Sequence, residues 1–176
     1  MKTFASLLLA AILLTAAVTD PVLSRTMLIP VEKKIDQRLE TLFDEPFLVL
    51  GMTRGLYLDK FGVVFSAELQ LVSTPGVGTF GFTTPTKEMI SSIRTKKQER
   101  LPILKEAMRT QMVSAAAALE KLPAEEKIVF GISVFRRSWE DSTGLPAQIV
   151  MQATRKDLLA ARNAAAIESA IRIQEF

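Results

Sequence analysis

The chain contains 176 residues, of which 48% are hydrophobic and 23% are charged, and 22 Lys and Arg against 19 Asp and Glu give a formal net charge of +3. The hydrophobic share excludes an intrinsically disordered chain, and the near balance of charge argues against a nucleic-acid-binding protein. The sequence contains no His and no Cys. Catalysis by a Ser-His or Cys-His pair and metal sites built on imidazole or thiolate ligands are therefore excluded.

The first 19 residues have the pattern of a secretory signal peptide. A basic start at Lys2 is followed by a run without charge from Phe4 to Val18. This run of about fifteen residues suits the apolar region of a signal peptide and is shorter than the roughly twenty residues that span a bilayer. We expect cleavage after Thr19, or two residues earlier, with an uncleaved membrane anchor as the alternative.

The missing cysteines indicate the compartment. An exported chain without Cys has no disulfides, so burial alone must stabilise it, which fits a bacterial envelope better than a eukaryotic extracellular space. We expect a periplasmic or secreted bacterial protein. The membrane would be a partner only if the N-terminal segment stayed attached.

Hydrophobic spacing predicts three helices and four to five strands in a single domain over residues 20–176, in the order α-β-β-α-β-β-α. This order predicts an α+β fold in which a mainly antiparallel sheet packs against one long helix. The predicted elements are a helix over 28–43 opened by Pro30, strands over 47–58 and 63–72 joined by a turn at 59–62, a helix over 86–122 that is either continuous or broken at Pro102, strands over 128–135 and 148–153, a helix over 154–167 with Thr154 as its N-cap, and a short edge strand over 170–176.

A glycine motif occurs between the second strand and the long helix. Gly76, Gly78 and Gly81 satisfy the G-x-G-x-x-G spacing of dinucleotide-binding loops. Residues 82–85 separate the motif from the helix, however, and we assign the preceding strand to a hairpin instead of a β-α-β unit. We therefore predict a glycine-rich loop and no cofactor.

The long helix carries a basic cluster formed by Arg94, Lys96, Lys97 and Arg100. We interpret the cluster as a solvated helix face, with contact to anionic lipid or polymer as the alternative. Lys97 is the only residue that interrupts the apolar stripe of the helix. Further along, residues 115–118 are all Ala, which makes the helix thin and allows a second element to approach closely.

Arg54 lies in an apolar row of the first long strand, where a buried charge needs a partner. In an antiparallel hairpin, the numbers of the two residues in each cross-strand pair have a constant sum. Glu68 is opposite Arg54 if this sum is 122, and Ala67 is opposite Arg54 if it is 121. We expect a structural ion pair or an exposed edge residue, with an anion-binding Arg as the alternative.

The segment between the last two long strands contains Arg136, Arg137, Trp139, Glu140 and Asp141, including the only Trp of the chain. Trp and Arg are enriched where binding energy concentrates in protein interfaces. The segment is therefore our candidate binding surface. The alternative is that the Trp folds over the sheet edge and the acidic residues form a turn.

These observations lead to three hypotheses. The first is an exported, non-catalytic binding module of a bacterial envelope, whose partner is another envelope protein or a small ligand and whose contact surface is the segment 136–141. The second is a hydrolase of an envelope polymer, which would need at least two of Arg54, Glu68, Glu140 and Asp141 to converge in a cleft. The third is a homo-oligomeric structural subunit. We expect no nucleic acid, metal or cofactor as a partner.

Overall fold

The computed structural model describes residues 22–73 and 85–176, so the predicted signal peptide and the glycine motif lie outside the described residues. The described part contains four helices and six strands. They are α1 (Arg25–Glu40), β1 (Leu48–Val49), β2 (Arg54–Leu58), β3 (Gly62–Gln70), α2 (Lys87–Ala118), β4 (Lys127–Val134), β5 (Gln148–Thr154), α3 (Arg155–Ala160), α4 (Ala164–Ala170) and β6 (Arg172–Glu175).

The six strands form one mixed sheet in the order β1-β3-β4-β5-β6, and β2 also pairs with β3. All strand pairs are antiparallel except β3 and β4, which are parallel. A parallel pair requires a crossover connection, and α2 lies in that connection. The predicted α+β fold, with a mainly antiparallel sheet and a long helix, is confirmed.

The parallel pair corrects one step of the sequence interpretation. We assigned the strand before the glycine motif to a hairpin and not to a β-α-β unit, but β3 belongs to both. It forms a hairpin with β2 and runs parallel to β4 after the crossover through α2. The separation of the glycines from the helix remains as an argument against a dinucleotide loop.

The core lies between the sheet and the helices. Val63, Phe65 and Leu69 of β3 are buried, whereas Ser66 and Glu68, which point to the opposite face, are exposed. The helices contribute the other half of the core. Their buried apolar side chains include Leu28, Ile35, Leu39, Leu104, Met108, Met112 and Leu158.

Several predicted boundaries change. Helix α1 begins at Arg25, so Pro30 lies inside the helix and does not open it. Helix α2 is continuous through Pro102. The predicted first long strand is divided into β1 and β2 near Gly51, which has φ of 83°.

At the C-terminal end, the predicted helix over 154–167 is two short helices, α3 and α4. Its predicted N-cap is confirmed, since the Thr154 hydroxyl accepts a hydrogen bond from the Asp157 amide. The predicted terminal strand is also confirmed as β6, which pairs with β5.

Helix α1 covers the outer edge of β2. The Thr53 amide donates to Asp36 Oδ1 at 2.8 Å, and the Gly55 amide donates to Glu32 Oε1. The approach is close, because a Cβ at Gly55 would lie 2.8 Å from the Phe65 ring and 3.0 Å from Glu32 Oε1. Two carboxylates one helical turn apart therefore occupy backbone donors that would otherwise be available to another strand.

Candidate functional site

The basic cluster of α2 is not a solvated face. Lys97 is 2% exposed and Arg100 is 7% exposed, so the sequence interpretation is wrong for these two residues. Burial of a charged group is tolerated only when it is paired and hydrogen-bonded. Their partners lie in two loops and at the end of β3. The loops are the segment 41–47 and the segment 135–147, which we call the β4–β5 loop.

Lys97 anchors the β4–β5 loop to α2. Its ammonium forms an ion pair with the Glu140 carboxylate and donates to the Phe135 carbonyl at 3.2 Å. Each of the two ion-paired side chains is 3% exposed. Lys97 therefore forms a buried salt bridge with the middle of the loop and also binds the first residue of the loop.

Asp141 provides a second anchor for the same loop. The Thr143 amide donates to Asp141 Oδ1 at 2.9 Å, and Arg94 donates to Asp141 Oδ2 at 3.0 Å. The hydrogen bonds from Thr143, together with the nearby Arg94 guanidinium, hold the pKa of Asp141 below its usual range. Neighbouring acidic residues in the loop thus bind different cations of α2.

Arg100 links α2 to the end of β3 and to the segment 41–47. Its guanidinium donates to the carbonyls of Leu71 and Pro46, pairs with Glu45 at 2.9 Å and lies 4.9 Å from the centre of the Phe43 ring. Both terminal nitrogens of the guanidinium thus have acceptors, and one of its faces lies against an aromatic ring.

Glu45 also binds a second cation of α2, because Lys96 lies 3.0 Å from the same carboxylate oxygen. The hydrogen bond from Lys96 is the main cause that lowers the pKa of Glu45, and Arg100 adds to the effect. The four basic residues of the cluster therefore all bind acceptors from the two loops and from the end of β3.

The remaining predicted residues of the β4–β5 loop differ in exposure. Its base is closed by the Val134 amide, which donates to the Ala147 carbonyl at 2.8 Å. Arg136 is exposed, whereas Arg137 and Trp139 are partly buried. The arrangement keeps the predicted aromatic and basic residues on a loop whose acidic residues point toward α2.

The predicted pairing of Arg54 is wrong in both registers. Arg54 is opposite Ser66, so paired residue numbers sum to 120, and neither Glu68 nor Ala67 faces it. The hairpin closes with a three-residue loop in which Lys60 has φ of 61°, which shifts the register by one or two residues. The ion pairs of the described residues do not include one between Arg54 and Glu68.

The residues proposed for a hydrolase do not converge. Arg54 and Glu68 are exposed on the face of the sheet that points away from the core, whereas Glu140 and Asp141 bind α2 on the helical side. Each acidic residue of the loop is neutralised by its own cation. The described residues therefore form no paired-carboxylate cleft from this set.

Glu32 is a buried charged residue that the sequence analysis did not select. It forms an ion pair with Arg25 and accepts the Gly55 amide. Burial raises the pKa of Glu32, but the hydrogen bonds from Arg25 and Gly55 outweigh burial and hold the pKa below its usual range. A sequence signal existed, since Glu32 lies four residues after Leu28 and three before Ile35, on the buried face of α1.

In residues 22–73 and 85–176, no helix is long and apolar enough to cross a membrane. The same residues contain no cluster of three or more acidic side chains that could hold a metal ion.

The fold and its contacts define an α+β protein with a helix-covered mixed sheet and a loop anchored by buried charge. No protein family, curated protein or solved structure matches the chain. Its function must therefore be inferred from its own residues.

Proposed function

We propose that the chain is an exported protein of a bacterial envelope that binds another protein through the β4–β5 loop, with residues Arg136–Asp141 at the contact. The observation that carries this proposal is the double anchoring of the loop to α2. Lys97 holds Glu140 and Arg94 holds Asp141. The acidic residues of the loop are thus structural, and the exposed Arg136 and partly buried Trp139 are the side chains proposed to contact a partner.

Anchoring favours binding for an entropic reason. A loop that is ordered before association loses less conformational freedom when the complex forms. The exposed Arg136 and the partly buried Trp139 belong to the residue types that contribute most to protein interfaces. A rigid loop carrying these side chains is a better docking surface than a mobile loop of the same composition.

Export is supported by the sequence pattern of residues 1–19, and the absence of Cys favours a bacterial envelope over a eukaryotic extracellular space. Fractionation of the native cells, followed by mass spectrometry of the intact protein, tests this part. We expect the protein in the envelope or medium, with a mass that lacks the first 17 or 19 residues, in agreement with the predicted cleavage. Recovery from the cytosol with Met1 attached would contradict it.

The binding surface is tested by crosslinking in envelope extracts. We expect one specific crosslinked partner, whose yield falls at least about tenfold in Arg136→Glu and in Trp139→Ala, because both remove an interface anchor. A double variant of other exposed residues, Arg162→Ala with Phe176→Ala, serves as the matched control and should retain the partner.

Thermal unfolding separates loss of contact from loss of fold. Arg136 is exposed, so Arg136→Glu should leave the unfolding temperature unchanged. If Arg136→Glu keeps the partner at full yield, the loop is not the contact surface.

A further inference from the structure

We propose that a recess between α1 and α2 binds a small monocarboxylic acid with a compact apolar body. The proposal concerns a different surface from the β4–β5 loop and does not depend on the proposed function. The recess has a volume of about 140 Å³. Its lining residues are Pro30, Val31 and Lys34 of α1 and Gln111, Ser114, Ala115 and Ala118 of α2.

The recess exists because both helices are thin where they face each other. Helix α2 contributes Ser114, Ala115 and Ala118, which leave space that larger side chains would fill, and α1 contributes the short ring of Pro30. An apolar cavity of about 150 Å³ is large enough to hold benzene. The size therefore suits one aromatic ring or a branched chain of similar bulk.

Gln111 supplies the first sign of a polar ligand. The residue is 6% exposed and lines the recess. Among the residues that the structure describes, none forms a hydrogen bond with its amide. Its amide atoms are not among the fully buried side-chain atoms that lack a partner, so solvent in the recess reaches them. A ligand oxygen in the recess would replace that solvent as the acceptor of the amide hydrogens.

Lys34 determines the charge of the ligand. It is exposed at the rim of the recess, and the ion pairs of the described residues do not include it. None of the seven lining residues is acidic. A carboxylate is thus the group that complements the rim, since its oxygens can accept from both the Lys34 ammonium and the Gln111 amide.

Titration of the purified protein with benzoate and with benzyl alcohol tests the proposal. The two probes have the same ring, and only benzoate carries a charge. We expect saturable binding of both, with benzoate about fivefold tighter, which is the advantage of one partly solvated ion pair. Absence of saturable benzoate binding at 10 mM, about the weakest affinity useful to a site of this size, would overturn the proposal.

The variant Lys34→Gln isolates the ion pair. We expect it to bind benzoate and benzyl alcohol equally, whereas Lys33→Gln, which changes an exposed neighbour outside the recess, should keep the preference. If the preference survives in Lys34→Gln, or is lost equally in both variants, the carboxylate does not bind at this rim.

The variant Gln111→Met isolates the amide and separates a ligand role from a structural role. Met has a similar length and no polar group, so we expect an unfolding temperature close to that of the unchanged chain, together with about fivefold weaker benzoate binding. Unchanged benzoate affinity in a folded Gln111→Met protein would show that the amide does not contact the ligand, and would overturn the proposed binding mode.

Discussion

Lys97 occupies a position at which an apolar side chain would continue the buried stripe of α2. Its partner Glu140 is 43 residues away in sequence, and both side chains are 3% exposed. One oxygen of the pair, Glu140 Oε1, is buried and has no hydrogen-bond partner among the described residues. The attraction between the two charges is therefore offset by incomplete hydrogen bonding, as is common in buried ion pairs.

The first prediction concerns this pair. Lys97→Met leaves the Glu140 carboxylate buried and unpaired, so we expect a loss of about 3–5 kcal/mol in the free energy of unfolding. The double variant Lys97→Met with Glu140→Leu removes both charges and should recover most of that loss. Urea unfolding measures all variants.

Lys96→Met is the matched control, because it breaks an exposed ion pair with Glu45. We expect its cost to stay below about 1 kcal/mol. Equal destabilisation by Lys96→Met and Lys97→Met would contradict the structural role assigned to the buried pair.

At the scale of elements, α2 tolerates a proline in its interior. Pro102 cannot donate the hydrogen bond to the carbonyl four residues earlier, yet the helix extends over 32 residues. The neighbouring Leu101 and Leu104 are buried in the core, whereas Pro102 lies on the exposed side. Packing of the buried side thus holds the helix together where local hydrogen bonding is interrupted.

The second prediction follows from this local defect. Pro102→Ala restores one backbone hydrogen bond in α2 and relieves a steric contact, so we expect the protein to gain about 2 kcal/mol of stability after the greater freedom of the unfolded chain is subtracted. Pro123→Ala, at an exposed position outside the helix, is the control and should give no gain. A lower urea midpoint for Pro102→Ala would show that the proline is required by its surroundings.

On the scale of the whole molecule, carboxylates tie together parts that are distant in sequence. Glu32 binds β2 to α1, and Glu45 and Asp141 bind their loops to α2. The pKa of each of these three carboxylates is held below its usual range by the contacts described above. Their stabilisation is fully present above the pKa of the unfolded chain, and it is lost as the pH falls through the lower pKa of the folded protein.

The third prediction is therefore a stability that is constant at neutral pH and decreases in acid. The chain has no His, which is the side chain that ordinarily titrates between pH 5 and 8, so we expect the urea midpoint to stay constant between about pH 6 and 8. Below about pH 4 it should fall, because the three carboxylates become protonated.

A triple variant, Glu32→Gln with Glu45→Gln and Asp141→Asn, identifies the groups responsible. It should be less stable at neutral pH and lose less stability on acidification than the unchanged chain. An identical slope below pH 4 in both proteins would assign the acid sensitivity to other carboxylates.

Much of the fold could be predicted from local pattern. The spacing of three and four residues predicted α1 and α2, alternation predicted the strands, and a Thr followed by Asp three residues later predicted the N-cap of α3. These features depend on residues that are close to one another in sequence, so they can be predicted without knowledge of the fold. The register of β2 and β3 was missed because it depends on where the turn begins and ends. A change of one residue in either position gives a different set of cross-strand pairs.

The amino-acid sequence by itself determined the type and order of most helices and strands, and the chemistry that is unavailable, since periodicity and composition are properties of the chain. Only the tertiary structure decided which charges are paired. The hydrogen-bond partners of Lys97 and Arg100 lie 29 to 55 residues away in sequence. They meet these cations because the pairing of β1, β3 and β4 places the ends of these strands and the adjoining loops beside α2. A Lys or Arg that will be buried cannot be told from one that will stay solvated by its residue type. The free energy of the buried cation depends on the water it loses and on the acceptors that distant segments supply.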